Sequence, residues 1–402
     1  MPRMARTLSL LSVGSVLLAG CSSTTTSNTP AAAGASTTTT SASATAAEST
    51  TASGTAGSST VSLKGICPDN IVIQTDWYAT PERAAAYQLV GPNGTVDAKK
   101  GTYSGPLGTT GVNVEVRLGG PFIGFAPIPQ QMYTDTSITL GYVATDDAVG
   151  GAAKFPTTAV VAPLDVNPQV VMWDPATYPN VSTWADIAKT KAKISYIEGL
   201  PYMDYLVSKG YVTKDQLDAS FDGTPANFVA SGGKLMQQGY ASNEPFRWSH
   251  DVPQWNKPVK YLLVHDSGYE IYPQGLAVRT GDLTKLSGCL KLLVPMVQKA
   301  QVDYMADPQP TNDALVTIAS KIKGGPPITA DANAAAVTAM KDLKLVGNGT
   351  NSTLGDFDMD RITRTIAVLQ PIFAAKKQPV PAGLTAASIA TNEFIDPSIS
   401  LP

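Results

Sequence analysis

Short apolar strands alternate with helices along most of this chain, and this alternation limits the fold more than any other feature of the sequence. The β-branched run at 71–73 is followed by a segment at 81–87 that opens like a helix, with proline in its first turn. The same pattern predicts strands at 112–118, 138–143, 169–173, 194–197, 261–265 and 276–279. Strands that alternate with helices indicate an α/β fold with mainly parallel sheets.

The remaining regular segments are predicted helices. They lie at 202–209, 283–302, 312–323, 332–345 and 357–375. The roughly 340 residues from Leu63 onward exceed what one hydrophobic core usually serves, so we expect two lobes. In parallel sheets, ligands bind at the carboxyl ends of the strands. The loops that follow the predicted strands are therefore the first place to look for a site.

The N-terminus carries an export signal. Arg3 and Arg6 precede an uncharged run at 8–20, which closes on small residues before Cys21. At about 13 residues this run is shorter than the ~20 that a helix needs to span a bilayer. Residues 1–20 are therefore predicted to be a signal peptide. The Leu-Ala-Gly-Cys ending resembles the lipobox of bacterial lipoproteins, which implies that Cys21 is lipidated; the alternative is ordinary secretory cleavage.

Residues 21–62 form a separate compositional segment. They are almost wholly Ser, Thr, Ala and Gly, and Glu48 is the only charged residue between 22 and 61. Such a stretch cannot bury enough apolar surface to offset the entropy of ordering it, so we expect a flexible stalk. The whole chain has a formal net charge of −3. This balance argues against a nucleic-acid partner, which would need clustered Lys and Arg.

Two cysteines remain after Cys21. Cys67 and Cys289 belong to a chain that would work where thiols oxidise, so we predict one disulfide between them. The alternative is two buried free cysteines that pack as small hydrophobic residues. A metal site would need more ligands than this pair offers, and none is predicted.

Three segments carry a family resemblance. Residues 75–77 (Thr-Asp-Trp), 199–206 and 238–246, the last with Asn-Glu-Pro after a predicted helix, resemble the SsuA/THI5-like group of periplasmic binding proteins. This group serves the uptake of thiamine-pyrimidine, nitrate, sulfonate and riboflavin-type solutes. The resemblance implies a type II periplasmic-binding-protein fold, in which two α/β lobes are joined by two crossover strands around a ligand cleft. The implied crossovers lie near 157–163 and 271–278, so lobe 1 comprises 63–156 and 275–402, and lobe 2 comprises 157–274.

One position departs from the pyrimidine-related members of the group. They carry a histidine six residues after the tryptophan, where this chain has Arg83. The cysteine-rich motif of the fungal pyrimidine synthase is also missing. An arginine at Arg83 could meet a carboxylate or sulfonate with its planar fork, or it could simply be solvated at the start of a helix.

The candidate ligand contacts follow predicted strands or belong to the resembling segments. They are Asp76, Trp77, Tyr78, Gly119, Gly120, Glu198, Tyr202, Asn243 and Glu244. An indole at a strand end can stack on a flat ligand, although it can also be core packing. Asp76 could accept a ligand N–H or cap the next helix. Gly119 and Gly120 allow close backbone approach, but glycines at such a turn need no ligand.

Together these features predict a solute-binding protein rather than an enzyme. The chain has two histidines, neither in a metal-ligand spacing, and no phosphate-binding glycine loop. We expect an exported monomer, lipid-anchored to the outer face of the cytoplasmic membrane. It would capture a small, flat, polar molecule without a cofactor and deliver it to an ABC permease and its ATPase. An envelope enzyme and a structural or adhesion lipoprotein remain the alternatives.

Overall fold

The computed structural model describes residues 61–323, 325 and 328–402. The predicted signal peptide, Cys21 and all but the last two residues of the predicted stalk lie outside the described residues. The described residues belong to one unit of the chain. Among them, no helix combines the length and the apolar character that crossing a membrane requires.

The strands of the described residues form two sheets. In chain order they are β1 (Asn70–Gln74), β2 (Thr95–Asp97), β3 (Thr102–Pro106), β4 (Asn113–Arg117), β5 (Leu140–Val143), β6 (Thr157–Val161), β7 (Gln169–Trp173), β8 (Ile194–Ser195), β9 (Leu217–Asp218), β10 (Met236–Tyr240), β11 (Lys260–Leu263) and β12 (Gly275–Arg279). The larger sheet has the order β2-β3-β4-β1-β5-β12-β6. The smaller sheet has the order β11-β7-β10-β8-β9.

The helices of the described residues are α1 to α12. Their bounds are α1 (Ala84–Val90), α2 (Ile128–Thr134), α3 (Thr145–Gly151), α4 (Trp184–Thr190), α5 (Pro201–Ser208), α6 (Ala226–Ala230), α7 (Glu244–His250), α8 (Leu283–Ala306), α9 (Gln309–Lys321), α10 (Ala330–Asp342), α11 (Met359–Ala375) and α12 (Ala386–Ile389). A short 3₁₀ turn, Pro81–Arg83, precedes α1. The α/β class predicted from the alternation of strands and helices is therefore confirmed.

The prediction of mainly parallel sheets is wrong. Among the strands of the described residues, the parallel pairs are β1 with β4 and β5, and β8 with β9 and β10. The other pairs are antiparallel, because β2, β3 and β4 follow one another as a meander and because β12 returns from the smaller sheet against β5 and β6. β10 was missed as a strand, and the Asn-Glu-Pro segment follows this strand rather than a helix.

Two connections join the sheets. One runs from β6 to β7, and the other from β11 to β12. Residues 157–161, which we expected to open the second lobe, pair with β12 in the larger sheet, so this connection begins after Val161. Arg361 of α11 ties the two connections together. Its guanidinium donates to the carbonyl and the carboxylate of Asp165 (2.7 Å each) and to the carbonyls of Glu270 (2.7 Å) and Ile271 (2.9 Å).

Cys67 and Cys289 form a disulfide in the structure, as predicted. It links the segment before β1 to α8, and both cysteines are buried. The sequence separation is 222 residues. Because α8 packs on α1 and on β6, the bridge fastens the start of the described chain to the helical layer of the larger sheet.

Candidate functional site

The loops after β1, β4 and β5 meet at one edge of the larger sheet. β1 lies between the other two strands, with Gln74 opposite Arg117 on one side and Gly141 on the other. All three strands run in the same direction, so their carboxyl ends and the loops that follow lie together. The backbone N–H of Gly119 donates to the Trp77 carbonyl at 2.9 Å, which locks the first two loops to each other.

Gly119 and Gly120 allow these loops to pack closely against each other. A Cβ on Gly119 would lie 2.1 Å from the Thr75 carbonyl oxygen, so no other residue fits without moving the backbone. Gly120 has φ +59°, and a Cβ there would lie 2.9 Å from the Trp77 ring. The two glycines therefore let the loop after β4 press against Trp77.

Trp77 is half-buried and lies between a loop of the larger sheet and a loop of the smaller one. Its ring lies 5.5 Å from the ring of Tyr78, edge to face, and 5.8 Å from the ring of Phe125. On the side of the smaller sheet, a Cβ at Gly223 would lie 3.6 Å from the indole. The indole thus sits where loops of the two sheets meet.

Asp76 and Arg83 form a bidentate ion pair in which the arginine side chain is buried and the aspartate side chain is 25 % exposed. Arg83 Nε donates to Asp76 Oδ1 at 2.8 Å and Nη2 donates to Oδ2 at 2.6 Å. Nη1 donates to the Thr80 hydroxyl at 3.0 Å, and the guanidinium lies 5.5 Å from the ring centroid of Tyr240. Burial by itself disfavours the charged form, but the Asp76 carboxylate holds the pKa of Arg83 above its ordinary value.

The sequence left two interpretations of Arg83 open, a contact with an anionic group of the ligand and a solvated side chain. The structure shows a third arrangement. Arg83 is 2 % exposed, so it is not solvated, and its fork is already occupied by a carboxylate of the same chain. The helix-capping alternative for Asp76 is likewise not observed, because its carboxylate oxygens accept from the guanidinium. This ion pair is costly to break at Asp76, since Arg83 alone would be a buried, uncompensated charge.

A second set of buried contacts crosses between the sheets. Glu82, next to Arg83, accepts a hydrogen bond from the hydroxyl of Ser242, which follows β10 in the smaller sheet. Gln274, in the connection that leads into β12, donates its amide N–H to the Glu82 carbonyl at 2.7 Å and accepts from Arg83 Nη2 at 2.9 Å, in the amide orientation that its neighbours favour. The start of α1 is thereby joined to the smaller sheet and to the connection between the sheets.

Asp146 and Asp147 open α3 after β5. Asp146 is 6 % exposed and accepts a hydrogen bond from the Tyr269 hydroxyl at 2.7 Å. The side chain of Asp147 has no hydrogen bond or ion pair within the described part of the chain. Burial, and then the charges of Asp146 and Asp76, raise the pKa of Asp147 to about 8. Burial also raises the pKa of Asp146, against the effect of the hydrogen bond from Tyr269.

The predicted contacts from the smaller sheet lie in different environments. Glu198 is exposed, in the loop before α5. Tyr202 is 3 % exposed, and its hydroxyl donates to Gln238 at 3.0 Å, so it belongs to the core. Asn243 precedes α7 without capping it through its side chain. Glu244 accepts from the Tyr240 backbone N–H at 2.6 Å; burial raises its pKa, and the nearby Arg247 opposes this.

The structure therefore brings together only part of the predicted set. Asp76, Trp77, Tyr78, Gly119 and Gly120 form one cluster, joined to residues after β10 through Arg83 and Glu82. Tyr202 is turned into the core. The role of these residues as ligand contacts stays a prediction.

Two aromatic residues at this edge were missed by the sequence interpretation. Phe122 and Phe125 are 39 % and 46 % exposed, in the loop after β4. Phe125 has φ +57°, a left-handed conformation that is strained for a bulky side chain. Two phenylalanines in a Gly- and Pro-rich loop directly after a strand were the available signal.

Comparison with solved structures shows the fold. The alkanesulfonate-binding protein SsuA from Xanthomonas axonopodis pv. citri, bound to MOPS, matches with a TM-score of 0.52 and 11 % sequence identity, over 81 % of this chain and 99 % of that one. A protein from Bordetella bronchiseptica RB50 matches with a TM-score of 0.51 and 14 % identity, over 81 % and 96 % of the two chains. The chain has the periplasmic-binding-protein fold. No family model and no curated protein matches its sequence.

The two sheets of this periplasmic-binding-protein fold correspond to the two lobes that the resemblance implied. The loops around Trp77 extend from the larger sheet towards the loop of Gly223 and the segment of Ser242 in the smaller one. In this fold, hinged closure of two lobes buries a ligand between them. At this level of similarity the comparison concerns the fold only, and the ligand has to be argued from the side chains.

Proposed function

We propose that the chain is the solute-binding subunit of an ABC importer of the SsuA/THI5-like group. It captures a small, flat, polar organic molecule outside the cytoplasmic membrane and delivers it to a permease. The observation that carries this proposal is the position of Trp77, whose ring lies beside Gly120 in a loop of the larger sheet and faces Gly223 in a loop of the smaller sheet, where a Cβ would lie 3.6 Å from the indole. An aromatic face at the meeting point of two lobes is a natural stacking surface for a ligand.

Two connections between the lobes support a hinge. Within the described part of the chain, two connections, β6–β7 and β11–β12, join the sheets, so the lobes can rotate about these segments without breaking a strand pair. The proposed partners are the permease and its ATPase, and Cys21 is the proposed lipid anchor that keeps the protein at the membrane. Neighbours of this fold include an alkanesulfonate-binding protein, so sulfonates join pyrimidines, flavins and nitrate as compounds to test.

A thermal-shift screen of the full-length chain against these compounds, together with amine-bearing small molecules, tests the proposal. Calorimetry with any compound that stabilises the chain then gives its affinity. We expect Trp77→Ala to weaken binding by about 1–3 kcal/mol, because a buried aromatic contact is lost. Since Trp77 is only half-buried, the melting temperature should change little.

The matched control is Tyr211→Ala, which removes a partly buried aromatic ring that stacks on Trp184 in the smaller sheet. It should leave ligand affinity unchanged. Equal affinities of the wild type and Trp77→Ala, with normal melting of both, would place the ligand away from the indole. If no compound of the screen stabilises the chain, and none alters its radius of gyration in solution scattering, the solute-binding function itself is contradicted.

A further inference from the structure

We infer, building on the proposed solute-binding function, that the ligand is an organic cation: an ammonium group attached to an apolar or aromatic body. Three features of the edge around Trp77 lead to this chemistry. They are an arginine that is already neutralised, a carboxyl group without a partner, and a set of accessible aromatic rings.

The first feature removes the most obvious receptor for an anion. Arg83 directs Nε and Nη2 to Asp76 and Nη1 to Thr80, and Gln274 covers the same guanidinium. An arginine in this state has no free pair of N–H groups to offer to a sulfonate or carboxylate. Arg247, a buried arginine in the last turn of α7, has an Nε without a partner among the described residues, but its charge acts on Glu244.

The second feature is a carboxyl group that has no cationic partner in the described part of the chain. Asp147 lies beside Asp146, and its charge interacts with that of Asp76, the residue before Trp77. Lys376, whose charge reaches Asp146, is held elsewhere: its Nζ donates to Asp204 Oδ2 at 2.7 Å and to the Gly199 carbonyl at 3.0 Å. The carboxyl group of Asp147 therefore has no cation of the same chain among the described residues. A ligand cation would supply the missing charge.

The third feature is the aromatic surface. Trp77 and Phe125 lie 5.8 Å apart with their planes inclined by 49°, so they do not cover each other face to face. Phe125 is 46 % exposed, and its strained backbone holds the ring in this place. Phe122 adds a second accessible ring, edge to face with Tyr78 at 5.8 Å. Strain that presents an apolar ring to solvent does not stabilise the fold, which suggests that the ring serves a contact.

Aromatic faces next to a carboxylate are the recognition chemistry of ammonium ions. The negative face of an indole or phenyl ring attracts a cation, and the attraction grows when the site excludes water. Closure of the two lobes would exclude it. The loop of Gly223, which faces the indole from the smaller sheet, would then cover the bound group.

Three probes that share a benzyl group test the inference: benzyltrimethylammonium, benzyl alcohol and phenylmethanesulfonate. We expect calorimetry with the full-length chain to give a Kd for the cation at least tenfold lower than for the sulfonate, with the neutral alcohol between them. Asp147→Asn should weaken binding of the cation by about tenfold, the effect of losing one desolvated charge contact, and should leave the alcohol unaffected. Asp147→Glu should retain binding, and the exposed Asp313→Asn is the matched control.

The pH dependence of the affinity for the cation distinguishes a direct role of Asp147 in binding from a purely structural one. Asp147 in the free chain is largely protonated below about pH 8, because Asp146 and Asp76 face it and burial disfavours its charge. A bound cation favours the ionised form, so affinity should increase by about tenfold or more from pH 6 to pH 8 and then level off. Asp147→Asn should remove this slope.

The outcomes of these experiments separate the inferred ligand class from the proposed solute-binding function. Tighter binding of the sulfonate or the alcohol than of the cation would overturn the inference and leave the solute-binding function intact. Binding of the cation that is indifferent to Asp147→Asn and to pH would overturn it as well. If neither these probes nor any compound of the wider screen binds, the proposed function fails together with the inference.

Discussion

Arg361→Gln should destabilise this protein more than any other single change to a charged residue on α11. The guanidinium makes four hydrogen bonds, three of them to backbone carbonyls, in the two connections between the sheets. It also lies 4.0 Å from the ring centroid of Tyr272. Glutamine has one side-chain N–H₂ group and no charge, so it cannot satisfy Asp165 together with the carbonyls of Glu270 and Ile271.

The size of the loss follows from this environment. The side chain of Arg361 is 9 % exposed and that of Asp165 is 22 % exposed, so the ion pair is mostly shielded from water. Removing one partner of such a pair costs about 3–5 kcal/mol, to which unsatisfied carbonyls contribute. We therefore expect the free energy of unfolding to fall by about 3–5 kcal/mol. Because both connections are involved, the loss should affect the attachment of the lobes to each other.

Arg364→Gln is the matched control, one helical turn further along α11. Its side chain is 61 % exposed and approaches Glu270 and Asp358 at 3.7 and 3.8 Å. Exposed pairs of this kind contribute about 0–1 kcal/mol. Equilibrium unfolding in urea, followed by tryptophan fluorescence and circular dichroism, compares the two variants. A loss below 1 kcal/mol for Arg361→Gln, or equal losses for the two variants, would refute the reasoning.

Three further predictions concern the disulfide, the contact between the sheets and the anchor. Reduction of the Cys67–Cys289 disulfide, or replacement of both cysteines by serine, should lower the free energy of unfolding by about 5 kcal/mol, since the bridge closes a loop of 222 residues. Two alkylatable thiols in the native exported protein would rule the bridge out. Ser242→Ala should cost about 1–3 kcal/mol, because Glu82 loses a buried hydrogen bond, and unchanged urea unfolding would contradict this. Cys21→Ser should release the protein from the membrane fraction, and equal retention of the variant in detergent partitioning would exclude lipidation.

Local sequence was sufficient to predict many of the strands. The bounds of β1, β5, β7 and β12 were predicted within a few residues. Short apolar runs between loop-forming residues are a local signal, which neighbouring positions of the sequence contain. The pairing of Cys67 with Cys289 was also predicted. The edge strand β2 and its neighbour β3 were missed, since their segment is rich in Gly, Lys and Thr and carries little apolar signal.

The roles of the charged and aromatic side chains depended on contacts between distant parts of the chain. Glu82 and Ser242 are 160 residues apart, and Tyr269 reaches Asp146 across 123 residues. Whether a carboxyl group is a solvated surface charge or a buried group with a raised pKa depends on how these segments pack, because burial and neighbouring charges set its free energy. The sequence therefore determined which residues lie near strand ends, and only the tertiary structure decided that Arg83 is neutralised, that Tyr202 is core and that Asp147 has no partner among the described residues.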